Sequence, residues 1–240
     1  MIRVLIAPLI LAVALLAGAC ADDGDATAGG GGEDQCSDPE FTTLEDCTGA
    51  GHTWGSDSSG DGGEVTCTEP ASCAGGTPTS YPNGPFASDD DPVGDKIDNH
   101  SFTTPEGDPL SFGDLRSAGG KTLLLVSTTA GWCTACIEEQ PKLESFYHQY
   151  GCDGLEVMVA IFEDIQFNPA QAAQAKQWQQ QYGLSFPVVA DTDNVLSTYY
   201  DSGAAPLNML IDLCTMEVLY SGIGFDETAV TATIESHLGL

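Results

Sequence analysis

The chain of 240 residues carries 36 acidic against 6 basic side chains, a formal net charge of −30, and nine cysteines. That sign excludes a nucleic-acid partner, whose phosphates require Lys and Arg. The cysteine usage points to an oxidising compartment, where disulfides persist.

Residues 1–19 read as a targeting segment. Arg3 gives the positive start, Val4 to Leu16 the apolar stretch, and Leu16-Ala17-Gly18-Ala19-Cys20 a small-residue cleavage site. The apolar run is too short for a comfortable membrane span. Ending the site in cysteine resembles a bacterial lipoprotein signal, which implies lipidation at Cys20. The location expected from it is the bacterial cell envelope, lipid-anchored and facing the periplasm or the exterior. Residues 20–35 form an acidic, glycine-rich linker without a core. Residues 36–74 hold Cys36, Cys47, Cys67 and Cys73 among few apolar side chains, so their order is expected to rest on disulfides. Three pairings of those four are possible. A second linker, rich in Pro, Gly, Ser and Asp, is expected over 75–92.

The globular part is expected over 93–240, the usual size of one domain. A short strand and turn is predicted over 110–115 and a continuous apolar strand over 121–127, covered on both faces. Helical spacing from 137 to 150 places Leu143, Phe146, Tyr147 and Tyr150 on one side, with Pro141 expected to kink it. A strand follows over 155–162. Asn168-Pro169 reads as the cap and first turn of a helix reaching Tyr182, ended by Gly183. A third strand is predicted over 186–190, a short helix over 195–200, a hairpin of 209–213 and 217–220, and a closing helix over 228–238. Alternating strands and helices with a terminal hairpin predict an α/β fold with a central mixed sheet flanked by helices.

The chemistry concentrates at Trp132-Cys133-Thr134-Ala135-Cys136, between a buried strand and a helix. A first thiol at a helix N-terminus meets unpaired N–H groups and the helix dipole, which favour its thiolate. A second thiol one turn further in closes a reversible disulfide. With Cys20 lipidated, the other eight cysteines make four pairs. That parity argues against zinc at Cys133 and Cys136, which would need two more ligands, and a disulfide between Cys152 and Cys214 is the expected structural pairing. No metal or cofactor is expected, because two sulfurs carry the reaction.

Several features then converge on a family. The Phe102…Gly107-Asp108-Pro109-Leu110 entry precedes the strand, and Trp132-Cys133-x-x-Cys136 carries Glu139 and Pro141 behind it. Ala205-Pro206 precedes an apolar strand ending in Ile211-Asp212. Together they resemble the TlpA/ResA-like branch of the thioredoxin-fold redoxins. The resemblance implies that Cys133 is the attacking thiol, Cys136 the resolving thiol and Glu139 a buried acid that tunes the pair. It also implies that Pro206 is a cis-proline facing the site, and that Trp132 and Ala205 belong to the substrate-docking surface. The partners implied are disulfide-bearing exported proteins and a membrane electron donor. Two departures stand out: Ser127 occupies the place of the aspartate of thioredoxins proper, and Thr134-Ala135 lacks the histidine that would strongly stabilise a thiolate. A peroxiredoxin-like thiol peroxidase is the alternative enzyme, but its motif requires Pro at 126 and Thr at 130, where Val126 and Ala130 stand. A non-catalytic binding module is the alternative outside enzymes. The Cys-x-x-Cys spacing also departs from the Cys-x-x-x-Cys of Sco-type copper proteins.

Overall fold

The computed structural model describes residues 78–200 and 204–240, together with Cys73, Gly76 and the backbone of Gln35–Cys36 and Trp54–Gly55. The chain divides into two units, Met1–Glu64 and Val65–Leu240. In the first, strands β1 (Gln35–Cys36) and β2 (Trp54–Gly55) pair antiparallel, Cys36 opposite Trp54. The targeting segment, Cys20 and the linker that follows it lie outside the described residues.

The second unit is built on a seven-stranded mixed sheet. Its strands are β3 (Ser101–Thr103), β4 (Pro109–Ser111), β5 (Leu123–Ala130), β6 (Leu155–Glu163), β7 (Val188–Ala190), β8 (Leu207–Asp212) and β9 (Val218–Ile223). They are ordered β4-β3-β7-β6-β5-β8-β9. All eight residues of β5 are buried, because both faces of the central strand are covered. It pairs parallel with β6 and antiparallel with β8. Its alternating side chains feed two cores. Leu123 and Leu125 pack with Leu143, Phe146 and Trp178, whereas Leu124 and Val126 pack with Phe102, Leu196 and Met209. Four helices complete the layers: α1 (Phe112–Ala118), α2 (Thr134–Tyr150), α3 (Ala172–Tyr182) and α4 (Glu227–Leu238). A 3₁₀ turn, Val195–Tyr199, lies between β7 and β8.

Two elements start elsewhere than the sequence pattern predicts. Residues 112–118 are helical, because Ser111 and Asp114 form a reciprocal capping box that turns the chain just after β4. Helix α3 begins at Ala172, not at Pro169. The Asn168 carbonyl and side chain are engaged by Asp164, and Ala170 N–H donates to the Phe162 carbonyl, so this stretch folds back along β6 first. Gly183 does end the helix, at φ 62°.

The expected linker 75–92 is a docked segment over its described part. Ala87 is buried, Tyr81 donates its hydroxyl to the Ile97 carbonyl at 3.0 Å, and Ala87 N–H donates to the Lys96 carbonyl. Gly94 N–H continues onto Val218 of β9. The aromatic and apolar side chains among the prolines supply a buried face that composition alone conceals.

The expected Cys152–Cys214 pairing is corrected. Cys214, at the turn between β8 and β9, is bonded to Cys73, 141 residues earlier, with a Cα–Cα distance of 5.4 Å. The docked segment brings the two together, since it runs beside this hairpin through Val93–Val218 and Ile97–Met216. Cys152 is itself disulfide-bonded. Cys73 therefore leaves the N-terminal set, and none of the three pairings confined to Cys36, Cys47, Cys67 and Cys73 holds. Replacing Cys73 and Cys214 together with serine is expected to cost about 2–5 kcal/mol and to lower Tm by on the order of 10 °C. Thermal unfolding followed by circular dichroism checks it; an unchanged Tm would show that the cross-link is dispensable.

Candidate active site

Strand β5 ends at Ala130, and the chain turns through Gly131 and Trp132 into α2, so the dithiol sits at the carboxyl edge of the sheet. Cys133 and Cys136 are joined in a disulfide. Cys133 caps α2: its sulfur accepts the Cys136 backbone N–H at 3.2 Å. That donor and the helix dipole both stabilise negative charge on Cys133 once the bond is reduced. Cys133 is 5% exposed and Cys136 is fully covered, an asymmetry that leaves one sulfur for an incoming disulfide and hides the other. Ala130, Phe162 and Ala205 pack around the pair. The Ala205 carbonyl oxygen lies 3.8 Å from the Cys133 sulfur, and the Ala205–Pro206 peptide is cis.

Beneath the dithiol lies a buried carboxylate. Glu139 follows Cys136 by three residues, hence on the same side of α2, and is only 3% exposed. Ser127 donates its hydroxyl to Glu139 Oε1, and Asn208 donates Nδ2 to Oε2 at 3.2 Å and to the Gly224 carbonyl at 3.1 Å. Ser127 and Asn208 face each other directly across β5 and β8, so one cross-strand pair grips both oxygens of one carboxylate. Burial nevertheless dominates and lifts the Glu139 carboxyl to about 7, against the lowering effect of both hydrogen bonds and of Lys142. An acid poised there can take or give a proton at neutral pH. The sequence pattern marks Glu139 but not Asn208, whose partnership depends on strand register. Ser127, noted as a missing aspartate, is instead the hydroxyl that holds Glu139.

Trp132 forms a raised edge. It is 37% exposed, stacks on Phe167 with ring centroids 5.5 Å apart, and donates its indole N–H to Glu163 Oε2 at 2.8 Å. The loop bearing Phe167 lies hard against Gly131: a Cβ there would stand 2.7 Å from Ile165 N and 2.9 Å from the Asp164 carbonyl carbon. Gly131→Ala is therefore expected to displace this loop and to destabilise by about 1–3 kcal/mol, read as an earlier urea midpoint. An unshifted midpoint would mean that the loop yields freely. Among the described residues no group of three or more His, Cys, Asp or Glu is placed to hold a metal ion.

The comparisons with known proteins agree with this geometry. The AhpC/TSA family matches residues 93–217. Thiol-disulfide oxidoreductase ResA of Bacillus anthracis is 27% identical over 120 residues, covering 50% of this chain and 64% of the relative. ResA of Bacillus subtilis (strain 168) is 24% identical over 119 residues, covering 50% and 61%. The chain thus spans somewhat under two thirds of the length of these relatives. Among solved structures, an uncharacterised conserved protein of Geobacillus kaustophilus superposes with a TM-score of 0.53 at 17% identity, covering 62% of this chain and 82% of that one. A Chlorobium tepidum protein assigned as the thiol:disulfide interchange protein DsbE gives 0.51 at 21% identity, covering 61% and 98%. The fold is thioredoxin-like, a mixed sheet flanked by helices.

Proposed function

The chain belongs to the AhpC/TSA family, and from that premise we propose that it is a thiol–disulfide oxidoreductase exchanging disulfides with exported proteins through Cys133 and Cys136. One observation carries the proposal: a capped, nearly covered dithiol standing one helical turn from a buried acid that titrates near neutrality. In the reducing direction the Cys133 thiolate attacks one sulfur of a substrate disulfide. That S–S bond breaks, the other substrate sulfur leaves as thiolate and takes a proton from solvent, and a mixed disulfide forms. Glu139 then accepts the Cys136 proton. The Cys136 thiolate attacks the Cys133 sulfur, breaks its bond to the substrate, and closes the Cys133–Cys136 bond, while the second substrate sulfur leaves as thiolate and takes up a proton from Glu139 or solvent. Two electrons pass to substrate for each disulfide formed here, and the reverse sequence oxidises a dithiol.

Ala205 and Pro206 supply the backbone edge on which a substrate strand would lie beside Cys133, and Trp132 the exposed ring against which it would pack. Ser127 and Asn208 are positioning residues for Glu139. The peroxidase alternative draws little support: Val126 and Ala130 occupy the positions its motif needs, and Arg116, the one arginine among the described residues, donates to the Cys214 carbonyl. The Arg3-to-Cys20 pattern supports attachment of the chain by a lipid at Cys20 in the bacterial envelope, with a membrane protein as electron donor. No helix among the described residues is long and apolar enough to cross a membrane.

The test is reduction of insulin by the full chain with dithiothreitol as electron source. Turnover well above the dithiothreitol background, abolished by Cys133→Ser, is the expected result. Turnover equal to background would remove the enzyme reading and favour a binding module.

A further inference from the structure

A groove of about 320 Å³ opens between the loop after β6 and helix α3, next to the turn that carries the dithiol into α2. Gly131 and Ile137, the residues on either side of the Trp132–Cys136 stretch, line one side of it. Its far wall is Trp178 and Tyr182 with Gln174, Gln177 and Gln181, and Gln166 lies across from them. Asp164 is the one charged residue of the lining, and its carboxylate is occupied by the Gln166 and Asn168 N–H groups and the Asn168 amide. Ile165 of the lining is 64% exposed, and Phe167, two residues further on, is 65% exposed and stacks on Trp132, so the loop presents an apolar ridge towards it.

This lining suits one occupant. A primary amide carries two donors and an acceptor, the same complement as the N–H and C=O groups of an extended polypeptide. Four glutamines around the slot therefore match a peptide backbone, and the Asp164 carboxylate, held in its charged form by the Asn168 and Gln166 groups that donate to it, disfavours acidic side chains. The volume falls at the small end of the range for ligand pockets, enough for a short segment and not for a folded surface. We infer that this groove binds the extended, non-acidic segment flanking the reactive cysteine of the protein substrate, with the glutamine amides pairing its backbone and the Ile165–Phe167 ridge taking apolar side chains. The inference rests on the oxidoreductase reading and adds to it the class of segment that is recognised.

The test uses the full chain carrying Cys136→Ser, so that the reaction stops at the mixed disulfide. Two probes are compared, each a mixed disulfide with thionitrobenzoate: a short neutral peptide with a central cysteine, and N-acetylcysteine amide. The Cys133 thiolate attacks the cysteine sulfur, forms the protein–probe disulfide and releases thionitrobenzoate, whose absorbance gives the rate. The peptide is expected to react about tenfold faster than the minimal probe, a preference of one decade in affinity. In Gln177→Glu/Gln181→Glu each amide loses its donors without changing shape, and the ratio of the two rates should fall towards one. Gln180→Glu, which adds a negative charge at an exposed position outside the lining, should leave the ratio intact. A ratio that survives the double substitution, or falls equally with Gln180→Glu, would overturn the groove while leaving the dithiol chemistry standing. Failure of both probes to react would overturn the oxidoreductase reading and the groove with it.

Discussion

Cys136→Ser is expected to convert turnover into a single, arrested event. Cys133 keeps its place at the N-terminus of α2, where the N–H of residue 136 still points at its sulfur, so attack on a substrate disulfide proceeds. The resolving thiol is absent, and the mixed disulfide accumulates in place of product. Steady-state reduction of a protein disulfide should fall by at least about two orders of magnitude, while a covalent adduct appears on a non-reducing gel and vanishes with dithiothreitol. Cys133→Ser should lose turnover equally but trap nothing, since Cys136 is fully covered. Adducts formed through Cys136 in that variant would reverse the assigned roles.

Glu139→Gln is the second large effect, and it acts in opposite senses on rate and stability. The carboxyl ionises near 4.5 in an unfolded chain and near 7 in the fold, chiefly because it is buried. Between those values the unfolded chain binds fewer protons, so stability falls as pH rises from about 4.5 through about 7. The cost above pH 7 is on the order of 3 kcal/mol. The amide that replaces the carboxyl keeps a hydrogen-bonding partner for Ser127 and Asn208 but removes the buried charge. The variant should therefore unfold later than the parent at pH 8 and match it near pH 4.5, in parallel denaturant titrations. Its resolution step should slow by about a hundredfold at neutral pH, the usual scale for a lost general base. The inflection near pH 7 in the rate of mixed-disulfide release should disappear with it. A profile that keeps that inflection in Glu139→Gln would assign it to another group.

Much of the fold and of the site is legible in the amino-acid sequence. The apolar runs read at 121–127 and 155–162 announce a sheet covered on both sides, and the Trp-Cys-x-x-Cys turn between strand and helix announces the dithiol. Glu139 is legible because it lies on the same helix as Cys136, three positions away. Asn208 is not, because only the β5–β8 register sets it opposite Ser127, and register is a non-local outcome of which faces the two cores bury. The Cys73–Cys214 bond is hidden for the same reason. Cys73 reaches the hairpin through a segment whose Pro and Gly content reads as a linker, although Tyr81 and Ala87 anchor it. Asn168 misleads through local chemistry: its side chain serves Asp164 in a turn, a competition with capping that short polar residues often resolve either way.

The most direct measurement is equilibration of the full chain with glutathione buffers, followed by alkylation and mass mapping of each cysteine. The account predicts that Cys133 and Cys136 open and close together reversibly, at an intermediate potential of about −180 to −270 mV, while Cys73–Cys214 stays oxidised throughout. A Cys133–Cys136 bond that never exchanges, or a Cys73–Cys214 bond that opens first, would contradict it.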